Sequence, residues 1–186
     1  HYTIIEKKNT CQHKAFIKDL ETRYHIKVLQ VKSNNEIPNI LNRLANKIRS
    51  YRVFISGSFI NLNDDDDKFA NELAKELTYR LLKKYQLYSG MGYKLGNYIS
   101  GYGLNYLSEV HITNIEHHLK MRPFAEHMSE QQIHNHRENL IDQCQFVIFL
   151  FGDSKRRNEE HNSIGVWNEY QIAKKNRKVI IPIGSS

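Results

Sequence analysis

The chain has 186 residues, 27 Lys and Arg against 20 Asp and Glu, a formal net charge of +7 and 40% hydrophobic residues, which is room for one ordinary domain plus a fragment with enough apolar material for a core. Its longest apolar runs, 146–151 and 179–183, fall far short of the roughly 18 residues a membrane span requires, and no signal or lipidation motif is present. Cys11 and Cys144 stand far apart, in helical or apolar contexts, which suits a reducing compartment and a cytoplasmic location without a disulfide framework.

In chain order, residues 1–6 read as a strand, 14–24 as a helix, 26–31 as a strand and 36–49 as an amphipathic helix with Ile37, Ile40, Leu41, Leu44, Ala45 and Ile48 on one face. A β-α-β-α stretch of that size does not close its own core, so it is expected to be the trailing part of a domain that begins earlier. A second unit opens with the apolar strand 52–56, ending in Ser56-Gly57-Ser58. It continues through a long helix at 64–85, a short strand at Leu87-Tyr88, a helix at 97–110, a strand near 120–122 closed by Pro123, a helix at 130–144, a strand at 146–151, a helix at 166–175 and a last strand at 179–183. Apolar strands alternating with helices indicate a parallel sheet covered on both faces, an α/β Rossmann-like architecture.

The segment 87–103, LYSGMGYKLGNYISGYG, holds five of the nine glycines. Glycine tolerates positive φ and close approach of a ligand, so Gly90, Gly92 and Gly96 at a strand-to-helix junction suit an anion such as phosphate. The spacing meets neither the dinucleotide fingerprint nor the P-loop, and a tight turn that packs a helix on the sheet explains it equally. Open parallel sheets bind ligands at the carboxyl ends of their strands. Four such ends carry suitable residues: Ser56-Gly57-Ser58, Ser89-Gly90-Met91-Gly92, Arg122-Pro123-Phe124 and Gly152-Asp153-Ser154-Lys155. They are expected to converge on one crevice.

Arg122, held extended by Pro123, is suited to grip a phosphate in a fork, or to sit in a surface salt bridge. Glu169 is suited to accept from ribose hydroxyls, or to act as a carboxylate in a helix first turn. For Trp167 and Tyr170, core packing on the sheet is expected ahead of base stacking. Asp64 to Asp67 read as a solvated N-terminal charge cluster, and the ten histidines form no zinc spacing. The basic residues fall in short clusters at Lys83-Lys84, Lys155-Arg156-Arg157 and Lys174-Lys175, which favours a small anionic ligand or acidic partner over a polynucleotide.

Taken together, VFISGS at 53–58, SGMGYKLG at 89–96, MRPF at 121–124, VIFLFG at 147–152 and GVWNE at 165–169 resemble the SLOG superfamily of nucleotide-binding Rossmann-like domains, closest to the C-terminal SLOG domains of Thoeris anti-phage effectors. The likeness covers about residues 50–186. Residues 1–48 look like the end of the sirtuin-like NAD-hydrolysing domain that precedes SLOG there, leaving 49–186 as the nucleotide-binding domain. The resemblance implies a sensor without catalytic residues of its own. It would bind a cyclic ADP-ribose isomer made by a partner TIR-domain cyclase and activate NAD hydrolysis by the full-length homo-oligomeric protein in a bacterial cytoplasm, with no membrane, metal or further cofactor. Carried onto matching positions, Arg122 would hold phosphate and Glu169 the ribose hydroxyls, and Gly57, Ser58, Ser89, Gly90, Met91, Gly92, Gly96, Asn97 and Phe124 would line the pocket. Lys155 stands beside the family's basic position. The glycine-hinged stretch 93–102 is the element expected to change on binding. Two other SLOG activities compete: a LOG-type nucleoside monophosphate phosphoribohydrolase, of whose P-G-G-x-G-T-x-x-E segment only Gly165 and Glu169 remain, and a DNA-binding SLOG protein.

Overall fold

The computed structural model describes residues 2–7, 10–58, 64–90, 94–152 and 163–183, and Met91, Gly92 and Lys155 lie outside them. The chain divides into two compact units, His1–Lys47 and Ile48–Ser186.

In the first unit, β1 (Tyr2–Glu6) and β2 (Lys27–Val31) pair in parallel, with Ile4 opposite Leu29, and α1 (Cys11–Arg23) crosses between them. Thr10 caps α1 by accepting from the His13 N–H, which starts the helix three residues before the sequence pattern placed it. A short 3-10 turn leads into α2 (Ile37–Arg49). Val31 is the buried hydrophobe of this unit among the described residues.

In the second unit, five strands form a parallel sheet in the order β5-β4-β3-β6-β7: β3 (Arg52–Gly57), β4 (Gln86–Ser89), β5 (Leu119–Met121), β6 (Phe146–Leu150) and β7 (Val179–Ile183). The chain runs outward from β3 to β5, then returns to place β6 on the other side of β3, so the strand order switches between β3 and β6. Both faces are apolar because both are covered. Val53, Ile55, Leu87, Ile148 and Leu150 pack under α3 (Asp64–Leu82) and α4 (Leu95–Glu109), while Phe54, Tyr88, Val147 and Phe149 pack under α5 (Glu130–Asp142) and α6 (Ile164–Lys175). Cys144 lies in the second core, where burial pushes its thiol up to about 12, whereas Cys11 is exposed.

Several boundaries depart from the pattern. α3 stops at Leu82, not at residue 85, because the Leu81 carbonyl accepts from both Lys84 and Tyr85 and closes a turn. α4 begins at Leu95, two residues earlier than expected, so Gly96 and Asn97 are helical and not part of a loop. Buried Leu95 and Ile99 anchor that first turn, and the backbone break comes at Lys94, whose φ is 58°. Tyr98 and Tyr102 likewise belong to α4 and not to a hinged loop: their hydroxyls reach Asp67 and Asn71 of α3 at 3.2 and 2.5 Å. α5 is fixed at its start by a capping box between Ser129 and Gln132 and ends at Asp142, before Cys144. Asp64 to Asp67 form the first turn of α3, where Asp67 pairs with Lys94 at 3.2 Å. Among the described residues no helix is long and apolar enough to cross a membrane.

Candidate functional site

At the carboxyl ends of β3 and β4, against the first turn of α6, lies a cavity of about 260 Å3. Gly57, Ser58, Ser89, Gly90, Phe124 and Glu169 line it together, joined by Ser56, Arg137, Ser163 and Gly165. Its position beside the β3/β6 switch is where an open parallel sheet leaves a crevice, since the connections depart to opposite faces there.

Glu169 forms the floor. It is 7% exposed, accepts a short hydrogen bond from the Ser56 hydroxyl on Oε2, and accepts from Arg137 Nε at 3.3 Å on Oε1. Burial pushes its carboxyl above the ordinary carboxylate range, opposed by the Ser56 hydrogen bond and the Arg137 charge. Ser56 stands two residues after Phe54 along β3 and therefore shares its α5–α6 face, which is how a strand hydroxyl meets a carboxylate from α6.

Among the described residues the cation lining this cavity is Arg137. Its guanidinium stacks over the Phe124 ring with Cζ 4.8 Å from the centroid, and Phe124 is held edge-on by His136 at 5.3 Å. A side chain on Gly165 would place its Cβ 2.9 Å from Arg137 Nη2, so the glycine keeps the first turn of α6 open to the guanidinium. Ser163 caps that helix, accepting from the Val166 N–H at 3.4 Å, and its own N–H donates to the Gly152 carbonyl at 2.6 Å. Arg137 and the N-terminal end of α6 thus present positive charge to one space, with one buried carboxylate to balance it.

The two strand-end glycines have different reasons. A Cβ at Gly57 would lie 2.2 Å from the Leu150 carbonyl oxygen and 2.4 Å from Leu95, so this glycine lets β3, β6 and α4 close up. A Cβ at Gly90 would lie 3.3 Å from Phe124 and 3.8 Å from Glu169 Oε1, so this one keeps room inside the cavity. Among the described residues no glycine has positive φ, so Gly90 and Gly96 do not use that freedom, while Gly92 lies outside the described residues.

Three expected residues stand apart from the cavity lining. Arg122 is exposed; its N–H donates to the Ser89 carbonyl at 2.9 Å and its carbonyl meets His136 Nε2 at 3.2 Å, so its main chain ties β4 to α5. Gly96 is buried and Asn97 exposed within α4. The residue that pattern reading passed over, Arg137, did leave a signal: Ile133, Arg137 and Ile141 recur every fourth position, which places an arginine in the inward stripe of α5. Trp167 is not core-packed as expected. It is 57% exposed and stacks on Tyr170 at 5.4 Å and 27°.

Two curated relatives described as NAD(+) hydrolase ThsA, from Bacillus cereus (strain MSX-D12) and Enterococcus faecium, are each 29% identical to the chain over 173 and 170 residues, 92% and 90% of its length. The chain spans 36% and 35% of those two proteins. Among solved structures, DNA processing protein A from Helicobacter pylori, described for its single-stranded DNA binding mode, is similar at a TM-score of 0.47 and 14% identity over 77% of this chain and 69% of that one, too remote to bear on function. The family model of the Sir2- and TIR-associating SLOG family matches residues 36–186, and the chain belongs to that family.

Proposed function

We propose that this chain is the ligand-sensing part of a Thoeris-type anti-phage NAD hydrolase. Its cavity takes a cyclic ADP-ribose isomer supplied by a partner TIR-domain cyclase, and binding switches on NAD hydrolysis by a sirtuin-like domain of the longer protein. In this reading residues 1–48 end the sirtuin-like domain and residues 49–186 sense the ligand. The longer protein acts as a homo-oligomer in the bacterial cytoplasm, and the chain itself catalyses nothing.

The observation that carries the reading is the Ser56–Glu169–Arg137 constellation at the switch of an open parallel sheet. A buried carboxylate has lone pairs to accept from ribose hydroxyls, and a guanidinium over an aromatic ring can fork a pyrophosphate. The phosphate role falls to Arg137 here, since Arg122 stands off the cavity. Both groups sit within one small space, which favours a compact cyclic ADP-ribose over an extended dinucleotide.

The test is a calorimetric titration with ADP-ribose, cyclic ADP-ribose isomers, NAD and AMP. A cyclic isomer is expected to bind most tightly. NAD or AMP binding more tightly than every cyclic isomer overturns the reading, and free base released from AMP, abolished by Glu169→Ala, would make the chain a LOG-type phosphoribohydrolase instead.

A further inference from the structure

We propose that the stacked pair Trp167–Tyr170 is the base-binding shelf of this site and takes the adenine of the nucleotide that Arg137 and Glu169 hold by phosphate and ribose. The inference rests on the nucleotide-sensing reading above and adds the subsite that decides which nucleotides are accepted.

A second cavity, about 300 Å3, lies between the end of β6 and the first turns of α6. It meets the first at Ser163 and Val166, which line both. Each alone is at or below the lower end of the roughly 300–1,000 Å3 usual for small-molecule sites; together they fall within it. The first holds the serine hydroxyls, the Glu169 carboxylate and the Arg137 guanidinium, beside the Phe124 ring, Ile55 and Val166. The second is built of Phe149, Phe151, Val166, Trp167 and Tyr170. Polar and aromatic halves side by side match the two halves of a nucleotide.

The shelf is fixed before any ligand arrives. Phe149, buried in the core, meets Tyr170 edge to face at 5.9 Å and 71°, and Tyr170 in turn stacks on Trp167. Tyr170 packs against the core while Trp167 stays more than half exposed, so the outermost ring of the row has apolar surface left to cover. A purine ring supplies that cover, because base stacking on an aromatic face needs no specific hydrogen bond. Phe151, which lines this cavity, holds a φ of 57°, a costly conformation for a bulky residue, at the end of β6.

Trp167 is the one tryptophan of the sequence, so its emission reports on the shelf alone. The experiment titrates the full chain with ADP-ribose, AMP and the base-free ribose 5-phosphate, following fluorescence and heat, in wild type and in Trp167→Ala, Trp167→Phe and Arg137→Gln. In wild type ADP-ribose and AMP are expected to quench the emission and ribose 5-phosphate to bind without quenching. Trp167→Ala should weaken ADP-ribose and AMP about ten- to a hundredfold with ribose 5-phosphate unchanged, and Trp167→Phe should restore most of the loss. Arg137→Gln should weaken all three. If Trp167→Ala leaves ADP-ribose affinity intact, or weakens all three ligands alike, the shelf assignment is overturned while the sensing reading stands. A wild type that binds none of them overturns the shelf assignment, and it overturns the sensing reading as well if no cyclic ADP-ribose isomer binds. A Trp167→Ala change that shifts sedimentation without affecting base-bearing ligands makes the shelf an interface between copies, which also overturns the assignment.

Discussion

The strand ends and the helix pair build one cavity by opposite means. At the ends of β3 and β4 the contribution is missing side chains: Gly57 lets three elements close up, and Gly90 leaves room under Phe124. From α5 and α6 the contribution is charge, with Arg137 and Glu169 projecting inward from helix stripes that otherwise carry Ile141, Leu140 and Ile172. Conspicuous glycines therefore mark where the fold makes space. The groups that recognise a ligand sit in positions whose periodicity reads as core.

The sharpest way to break that contrast is Arg137→Ala. It should weaken binding of a cyclic ADP-ribose isomer by about 2–4 kcal/mol, the scale of losing a charge-assisted pair in a partly desolvated site. Calorimetry on folded protein checks it, and an unchanged affinity would return the phosphate role to the strand ends. Next comes Gly57→Ala, expected to cost about 1–3 kcal/mol of folding stability through overpacking against Leu150 and Leu95. Its denaturant midpoint should fall at constant slope. Gly90→Ala, whose nearest contact is a ring edge, should shift the midpoint less.

Glu169→Gln should lower affinity by about 1 kcal/mol, because the amide oxygen still accepts hydrogen bonds. The same variant tests the electrostatics through pH. Burial holds the folded carboxyl above its ordinary value of 4.5, so the folded state binds the proton more tightly than the unfolded one. That contribution is fully present below 4.5 and is lost as pH rises through the higher folded value. The wild type should therefore lose stability relative to Glu169→Gln as pH rises above 4.5, measured by denaturation at stepped pH. An opposite slope would mean that Ser56 and Arg137 outweigh desolvation. The smallest effect belongs to Arg122→Ala, within about 0.5 kcal/mol in affinity, since the exposed residue ties β4 to α5 through its main chain. Equal losses at Arg122 and Arg137 would erase the distinction between strand ends and helices.

Much of this fold was legible because a strand covered on both faces reads as an unbroken apolar run, as in β6. The strand ends were legible for the same reason, and Ser58, Ser89, Phe124 and Glu169 do share a cavity. Helix starts were harder. α4 and α6 each begin two residues before the apolar period is apparent, because Lys94 and Ser163 set the start through backbone and cap geometry, which periodicity does not record. Arg137 was hidden by its own context: one charge within an apolar stripe is averaged away unless each inward position is asked what it touches. Trp167 was misplaced for the converse reason, since an aromatic one turn from a core residue suggests burial until the tilt of the helix end is known.

The contrast between the two cysteines has a practical side. With the Cys144 thiol sealed in the core and Cys11 exposed, a maleimide dye attaches at one place, in the first unit, while the sole tryptophan sits in the second. The natural chain thus carries one optical label in each unit, far in sequence from one another. Resonance energy transfer from Trp167 to a dye on Cys11 can be recorded during a nucleotide titration without altering a single codon, and it would show whether what happens at the cavity is felt in the other unit.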